Sequence, residues 1–263
     1  MREHTRGVLA LLISLTLAGP ALAADPATAP TTRPARRATV PAGPADQPAE
    51  KMRNGKPEPH FAQRHASFLA RGKAGPIGVL FLGDSITEGW GNAPDVWKQH
   101  YGKLDPANFG IGGDRTEHVL WRIDHGELDD IHPKVLVLLI GTNNIGDTAA
   151  HIEKADEKIV AEIHQKLPDT KLLLLGIFPR GADPANPNVA GMREKIRTVN
   201  AGLAKLDDGG KTRYLDIGDK FLAPDGKITV DIMKDGLHPT RAGYQIWADA
   251  MQPLLDEMLK ATP

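Results

Sequence analysis

Two stretches of strand length, VLVLLI over 135–140 and LLLLGI over 172–177, carry an apolar side chain or glycine at every position. A strand with one face in water alternates apolar and polar residues. An unbroken run therefore means that both faces are covered, the condition of a parallel sheet packed between helices. Shorter apolar runs predict further strands over 77–82, 107–109 and 213–217, and stretches of helical period predict helices over 116–125, 149–167, 189–206 and 241–260. Strands alternating with helices point to one α/β domain.

The first 59 residues read differently. Arg2 and Arg6 precede an apolar run over 8–18, Gly19-Pro20 breaks its helix, and Ala21-Leu22-Ala23 supplies the small residues of a peptidase site. Residues 1–23 are expected to be a cleaved secretory signal, since the run is shorter than a bilayer span. The mature protein would then be periplasmic or secreted, with no integral membrane segment. Residues 24–59 hold eight Pro and eight Ala, with Val40 and Met52 as the only larger aliphatic side chains. That is too little apolar area to offset the entropy of ordering, so a solvated, disordered Pro/Ala-rich linker is expected. Residues 60–263 are left for one domain with a single core.

The chain has no cysteine, which excludes a disulfide scaffold, a zinc–thiolate site and a cysteine nucleophile. Its 32 Lys and Arg against 33 Asp and Glu leave a net charge of −1, no basis for general attraction to nucleic acid or an anionic membrane. His118, His125 and His132 recur every seven residues, but Pro133 follows and no second His stands at the i,i+4 spacing of a helical metal site. No metal and no cofactor is implied. Function must come from a local site, and in such a sheet sites gather in the loops leaving the carboxyl ends of the strands.

Four such loops carry chemistry. The first strand runs into Gly83-Asp84-Ser85-Ile86-Thr87. A serine there is either a nucleophile whose N–H and helix dipole stabilise negative charge, or a plain helix cap. The nucleophile elbow of the α/β-hydrolases is not met, because Thr87 stands where its second Gly belongs. The second strand leads into Gly110-Ile111-Gly112-Gly113-Asp114, which fits an anion-binding loop or a tight turn. It is no dinucleotide fingerprint, since Arg115 replaces the third Gly. Gly141-Thr142-Asn143-Asn144 offers a side-chain amide to an oxyanion, although Asn is also a common turn residue. Near the C-terminus, Asp235-Gly236-Leu237-His238 lets a carboxylate curl back to the imidazole Nδ1, leaving Nε2 to take a proton from a hydroxyl.

In chain order, GDSIT, GIGGD, GTNN and DGLH resemble the four blocks of the SGNH hydrolases, the GDSL esterase/lipase family. The stretches NFGIGGDRTEHVLWR, HPKVLVLLIGTNN and LLLLGIFPRG are most similar to the platelet-activating-factor acetylhydrolase catalytic-subunit type within it. The expected architecture is a three-layer αβα sandwich around a five-stranded parallel sheet in flavodoxin-like order 2-1-3-4-5. The resemblance implies Ser85 as nucleophile, His238 as base and Asp235 as the residue orienting it. It implies an oxyanion hole of the Ser85 N–H, the Gly113 N–H and the Asn143 amide, with Gly112 as rival to Gly113. Asp84, Gly112 and Arg180 are candidate substrate contacts, Arg180 from the 179–190 loop.

The function these readings imply is a secreted serine esterase acting through an acyl-enzyme on short, acetyl-type esters, such as O-acetyl groups of carbohydrates. No inserted lid is evident to shelter a fatty chain. A thioesterase or lysophospholipase with the same residues is the alternative within the chemistry. A non-catalytic flavodoxin-like anion-binding protein is the alternative outside it, but that would have no use for the Asp235/His238 pair.

Overall fold

The structure is a computed structural model that describes residues 44–260. The expected signal, and residues 24–43 of the expected linker, lie outside the described residues. Two short strands, β1 (Met52–Arg53) and β2 (Lys56–Pro57), pair as an antiparallel hairpin. The main sheet contains β3 (Val79–Gly83), β4 (Pro106–Gly110), β5 (Val135–Leu139), β6 (Lys171–Leu175) and β7 (Thr212–Leu215). All its pairings are parallel and the spatial order is β4-β3-β5-β6-β7. Counting only the strands of this sheet, that is the expected 2-1-3-4-5.

Successive side chains of a strand point to opposite faces, and here both faces are buried. Leu80, Leu82, Leu136, Leu138, Leu172 and Leu174 join one core cluster, whereas Val79, Phe81, Val135, Val137, Leu173 and Leu175 join the other. The first layer is closed by α1 (Pro59–Lys73), α4 (Thr116–Asp124), α5 (Ala149–Lys166) and α6 (Pro187–Leu203). The second is closed by α2 (Ser85–Glu88), α3 (Pro94–Tyr101) and α7 (Arg241–Lys260). Helix α7 shows how sequence period becomes packing: Tyr244, Trp247, Ala248, Met251, Leu255 and Met258 recur at helical spacing and are all buried. Trp90 and Trp247 meet in this layer with ring centroids 4.9 Å apart.

Helices α1 and α3 are not among the helices that the sequence predicts. Helix α1 buries only Phe61, His65 and Phe68, and α3 has eight residues, so each presents a weak periodic signal. Their starts are nevertheless chemically marked. Glu58 accepts the Phe61 N–H with Pro59 just after it, and Pro94 opens α3.

The expected linker is corrected over its described part. Residues 44–59 dock on the domain, and Ala45 is 2% exposed. Thr116 Oγ1 donates to the Ala45 carbonyl, the Ala49 N–H donates to the Glu117 carbonyl, and Lys154 pairs with Asp46. Composition measured the apolar area of this segment correctly, but what holds it is backbone hydrogen bonding and charge. Among the described residues no helix is long and apolar enough to cross a membrane.

Candidate active site

The carboxyl ends of β3, β4 and β5 lie side by side, with Gly83 paired to Gly110 on one flank and to Leu139 on the other. Their loops are thereby brought to one edge. Gly83 is required there, because a Cβ would come within 2.3 Å of both the Leu139 carbonyl and Thr87 Oγ1. Asp84 follows as the cap of α2, its Oδ1 accepting the Ile86 N–H at 2.9 Å, which leaves Ser85 as the first helical residue. A first-turn N–H has no partner within its own helix, and no acceptor among the described residues takes that of Ser85.

Ser85 Oγ lies 3.0 Å from His238 Nε2. On the other side of the ring, His238 Nδ1 lies 2.7 Å from Asp235 Oδ2. Asp235 Oδ1 also accepts the backbone N–H groups of Leu237 at 3.1 Å and of His238 at 2.8 Å. Burial alone would raise the Asp235 carboxyl, but the His238 N–H and ring outweigh it and hold the pKa down to about 2. A charged carboxylate on Nδ1 favours the tautomer with a bare Nε2, the nitrogen that faces Ser85. The loop is anchored from behind, since the Gly236 carbonyl accepts the Gly181 N–H at 2.7 Å.

The two candidate N–H groups of the glycine loop differ in their partners. The Gly112 N–H is donated to Glu88 Oε2 at 2.6 Å, whereas no acceptor among the described residues takes the N–H of Gly113, which sits at φ +73. Of the two, the Gly113 N–H is the one without an acceptor among the described residues. Asn143 stands on the 3-10 turn Thr142–Asn144, reached through Gly141 at φ +109. Its Nδ2 donates to the Asp114 carbonyl at 2.8 Å and faces Asp84 Oδ2 at 3.4 Å, so the second hydrogen is only loosely engaged. Asn144 is buried and ties this turn to the glycine loop, accepting the Thr116 N–H at 3.0 Å.

One of the three expected substrate contacts is corrected. Asp84 is 1% exposed and turned inward, so it caps α2 and supports Ser85. Burial, with the neighbouring Asp114 charge adding, pushes its pKa up to about 7. Gly112 has its N–H occupied by Glu88. Arg180 remains at the edge of the site, Nη1 donating to the Thr142 carbonyl at 2.8 Å. Burial pulls its pKa down, against the opposing pull of Asp84 and Asp235.

Residues beneath the site were missed in their importance. Arg122 is fully buried, donating Nη1 to the Phe109 carbonyl at 2.9 Å and Nη2 to the Gly83 carbonyl at 3.2 Å. Its guanidinium pairs with Asp114 at 3.1 Å and Glu127 at 2.9 Å, joining the ends of β3 and β4 under Ser85. Glu88, directly after the first motif and three residues beyond Ser85, carries no sequence signal of its own for the contact it makes with the glycine loop.

The model of the GDSL-like Lipase/Acylhydrolase family matches residues 81–246. The alpha1 subunit of platelet-activating factor acetylhydrolase IB from Bos taurus is 38% identical over 196 residues, covering 74% of this chain and 82% of that protein. Among solved structures, a GDSL-like lipase from Bacteroides thetaiotaomicron is similar with a TM-score of 0.61 at 21% identity, over 75% of this chain and 98% of that one. A mutant acetyl-xylooligosaccharide esterase from Geobacillus Stearmophilus is similar with a TM-score of 0.54 at 17% identity, over 71% and 95%. The two structural likenesses are likenesses of fold.

Proposed function

The chain belongs to the GDSL-like lipase/acylhydrolase family and is a hydrolase acting on esters, and from that premise we propose a serine esterase that removes short acyl groups, acetyl above all, through an acyl-enzyme on Ser85. The observation that carries the reading is the Ser85–His238–Asp235 chain of contacts, at 3.0 and 2.7 Å. His238 Nε2 takes the hydroxyl proton as Ser85 Oγ attacks the ester carbonyl. The carbonyl electron pair moves onto oxygen, and the oxyanion is met by the Ser85 N–H, the Gly113 N–H and the Asn143 amide, the last exchanging its loose contact with Asp84 for the substrate. Collapse expels the alkoxide, which takes the proton from His238. Water then enters by the same route, forming the carboxylic acid and restoring Ser85.

The acyl preference is supported by the name of the 38%-identical relative, an acetylhydrolase. It is also supported by packing: every α-helix of the described residues contributes to one of the two core layers, and none is left to cover a long chain over Ser85. We assign the alcohol side to a carbohydrate, with Arg180 at its border, and the location to the cell exterior or periplasm, on the strength of residues 1–23 read as a signal. Rates on p-nitrophenyl acetate, octanoate and palmitate test the acyl preference, and a screen of acetylated polysaccharides for acetate release tests the alcohol. Faster turnover of the long esters, or of thioesters, would replace the acetylesterase by a lysophospholipase or thioesterase.

A further inference from the structure

Lys51 belongs to the segment whose composition reads as linker, yet its ammonium reaches the glycine loop. It donates to the Gly112 carbonyl at 2.5 Å and to Asp114 Oδ1 at 3.3 Å, with 17% of its side chain exposed. The lysine is held in turn from its own backbone. Its carbonyl accepts the Glu58 N–H at 2.8 Å, and two residues earlier the Ala49 N–H is bonded to the Glu117 carbonyl at 3.0 Å.

The Gly112 carbonyl and the Gly113 N–H are two ends of one planar trans peptide unit, so they point in opposite directions. Whatever fixes the oxygen aims the N–H. Both residues flanking this unit are glycines, whose backbone adopts either sign of φ at small cost, and Gly113 stands at φ +73. Rotation of the unit would turn the N–H away and present a carbonyl oxygen to the developing oxyanion. Glu88 secures only the preceding unit, through the Gly112 N–H. The ammonium also polarises the peptide it binds, which makes the Gly113 N–H a stronger donor.

We propose that Lys51 is a positioning residue for the oxyanion hole: it clamps the Gly112–Gly113 peptide so that the Gly113 N–H faces the substrate oxygen. The inference rests on the proposed role of that N–H. It makes the stretch ahead of the hairpin a working part of the site.

The test compares Lys51→Met, which keeps the stem and removes the donor, with Lys51→Arg in the full chain. The probe is p-nitrophenyl acetate, with kcat referred to sites titrated by a fluorophosphonate so that misfolded protein does not count. Complete loss of one oxyanion donor costs about 10²–10³ in kcat, so misaiming it should cost on the order of tenfold or more, with KM changed by less than about twofold. Lys51→Arg should recover most of that loss, because it restores the donor. Wild-type kcat in Lys51→Met, a KM rise without loss of kcat, or no recovery in Lys51→Arg would overturn the proposal. If Lys51→Met has no titratable site, Lys51→Leu, which likewise carries no donor, takes its place under the same criteria. Activity that survives Ser85→Ala would instead overturn the underlying serine mechanism, so the two failures are distinguishable.

Discussion

Ser85 and His238 stand 153 residues apart along the chain, and Ser85 Oγ meets His238 Nε2 at 3.0 Å. One side chain leaves the end of β3 and the other precedes α7. Their meeting is a property of the sheet edge, where the loops of successive strands converge.

Replacing Ser85 by Ala removes the attacking oxygen while leaving Asp84 to cap α2. Turnover of p-nitrophenyl acetate should fall by about 10⁴-fold or more, with the melting temperature essentially unchanged and no labelling by a fluorophosphonate. Undiminished labelling of the variant would locate the nucleophile elsewhere.

Asp235→Asn retains the size of the side chain but no longer favours the required tautomer of His238. A loss of about 10³–10⁴ in kcat is expected. With a folded pKa near 2 against an ordinary 3.8, the carboxylate of the wild type contributes stability that is present above about pH 4 and is lost as the pH falls toward 2. The acid limb of a melting-temperature profile should therefore be flatter in Asp235→Asn.

Asn143→Ala deletes one oxyanion donor and should lower kcat by about 10²–10³, with little change in KM, since the ground-state carbonyl needs the amide less than the tetrahedral oxygen does. Steady-state kinetics that show KM alone rising would move Asn143 from the oxyanion hole to substrate binding.

Arg122 is the cation on which two buried carboxylates depend, Asp114 and Glu127. Arg122→Met leaves Asp114 with Lys51 at 3.3 Å and Glu127 with His65 at 3.3 Å in place of the guanidinium, and a destabilisation of about 3–5 kcal/mol is expected from urea unfolding. A smaller cost would mean that these acids are protonated rather than paired.

Asp156 is a different kind of buried acid. It is wholly buried, neither carboxyl oxygen has a hydrogen-bond partner among the described residues, and burial raises its pKa well above 3.8. As the pH rises past 3.8 the unfolded chain releases this proton before the folded one does, so the residue costs stability progressively. Asp156→Asn should melt higher than the wild type, by a margin that widens from pH 4 upward. A margin independent of pH would show that the carboxyl does not titrate with folding.

Much of this protein is legible in its amino acids alone. The unbroken apolar runs of β5 and β6 demand cover on both faces, and the two core clusters supply it. Glycine, serine, asparagine, aspartate and histidine at strand ends name the chemistry, because those residue types suit few other purposes in that combination. The tertiary structure alone decides distances and partners. It closes Ser85 on His238, engages the Gly112 N–H with Glu88, and turns Asp84 inward. It buries Arg122, which the pattern of α4 leaves indistinguishable from a surface cation, and it docks residues 44–59 against their composition. The division has one physical cause. Apolar burial is non-directional and can be read from the order of side chains along the chain, whereas hydrogen bonds and ion pairs depend on ångström-scale geometry between residues that only the folded sheet brings together.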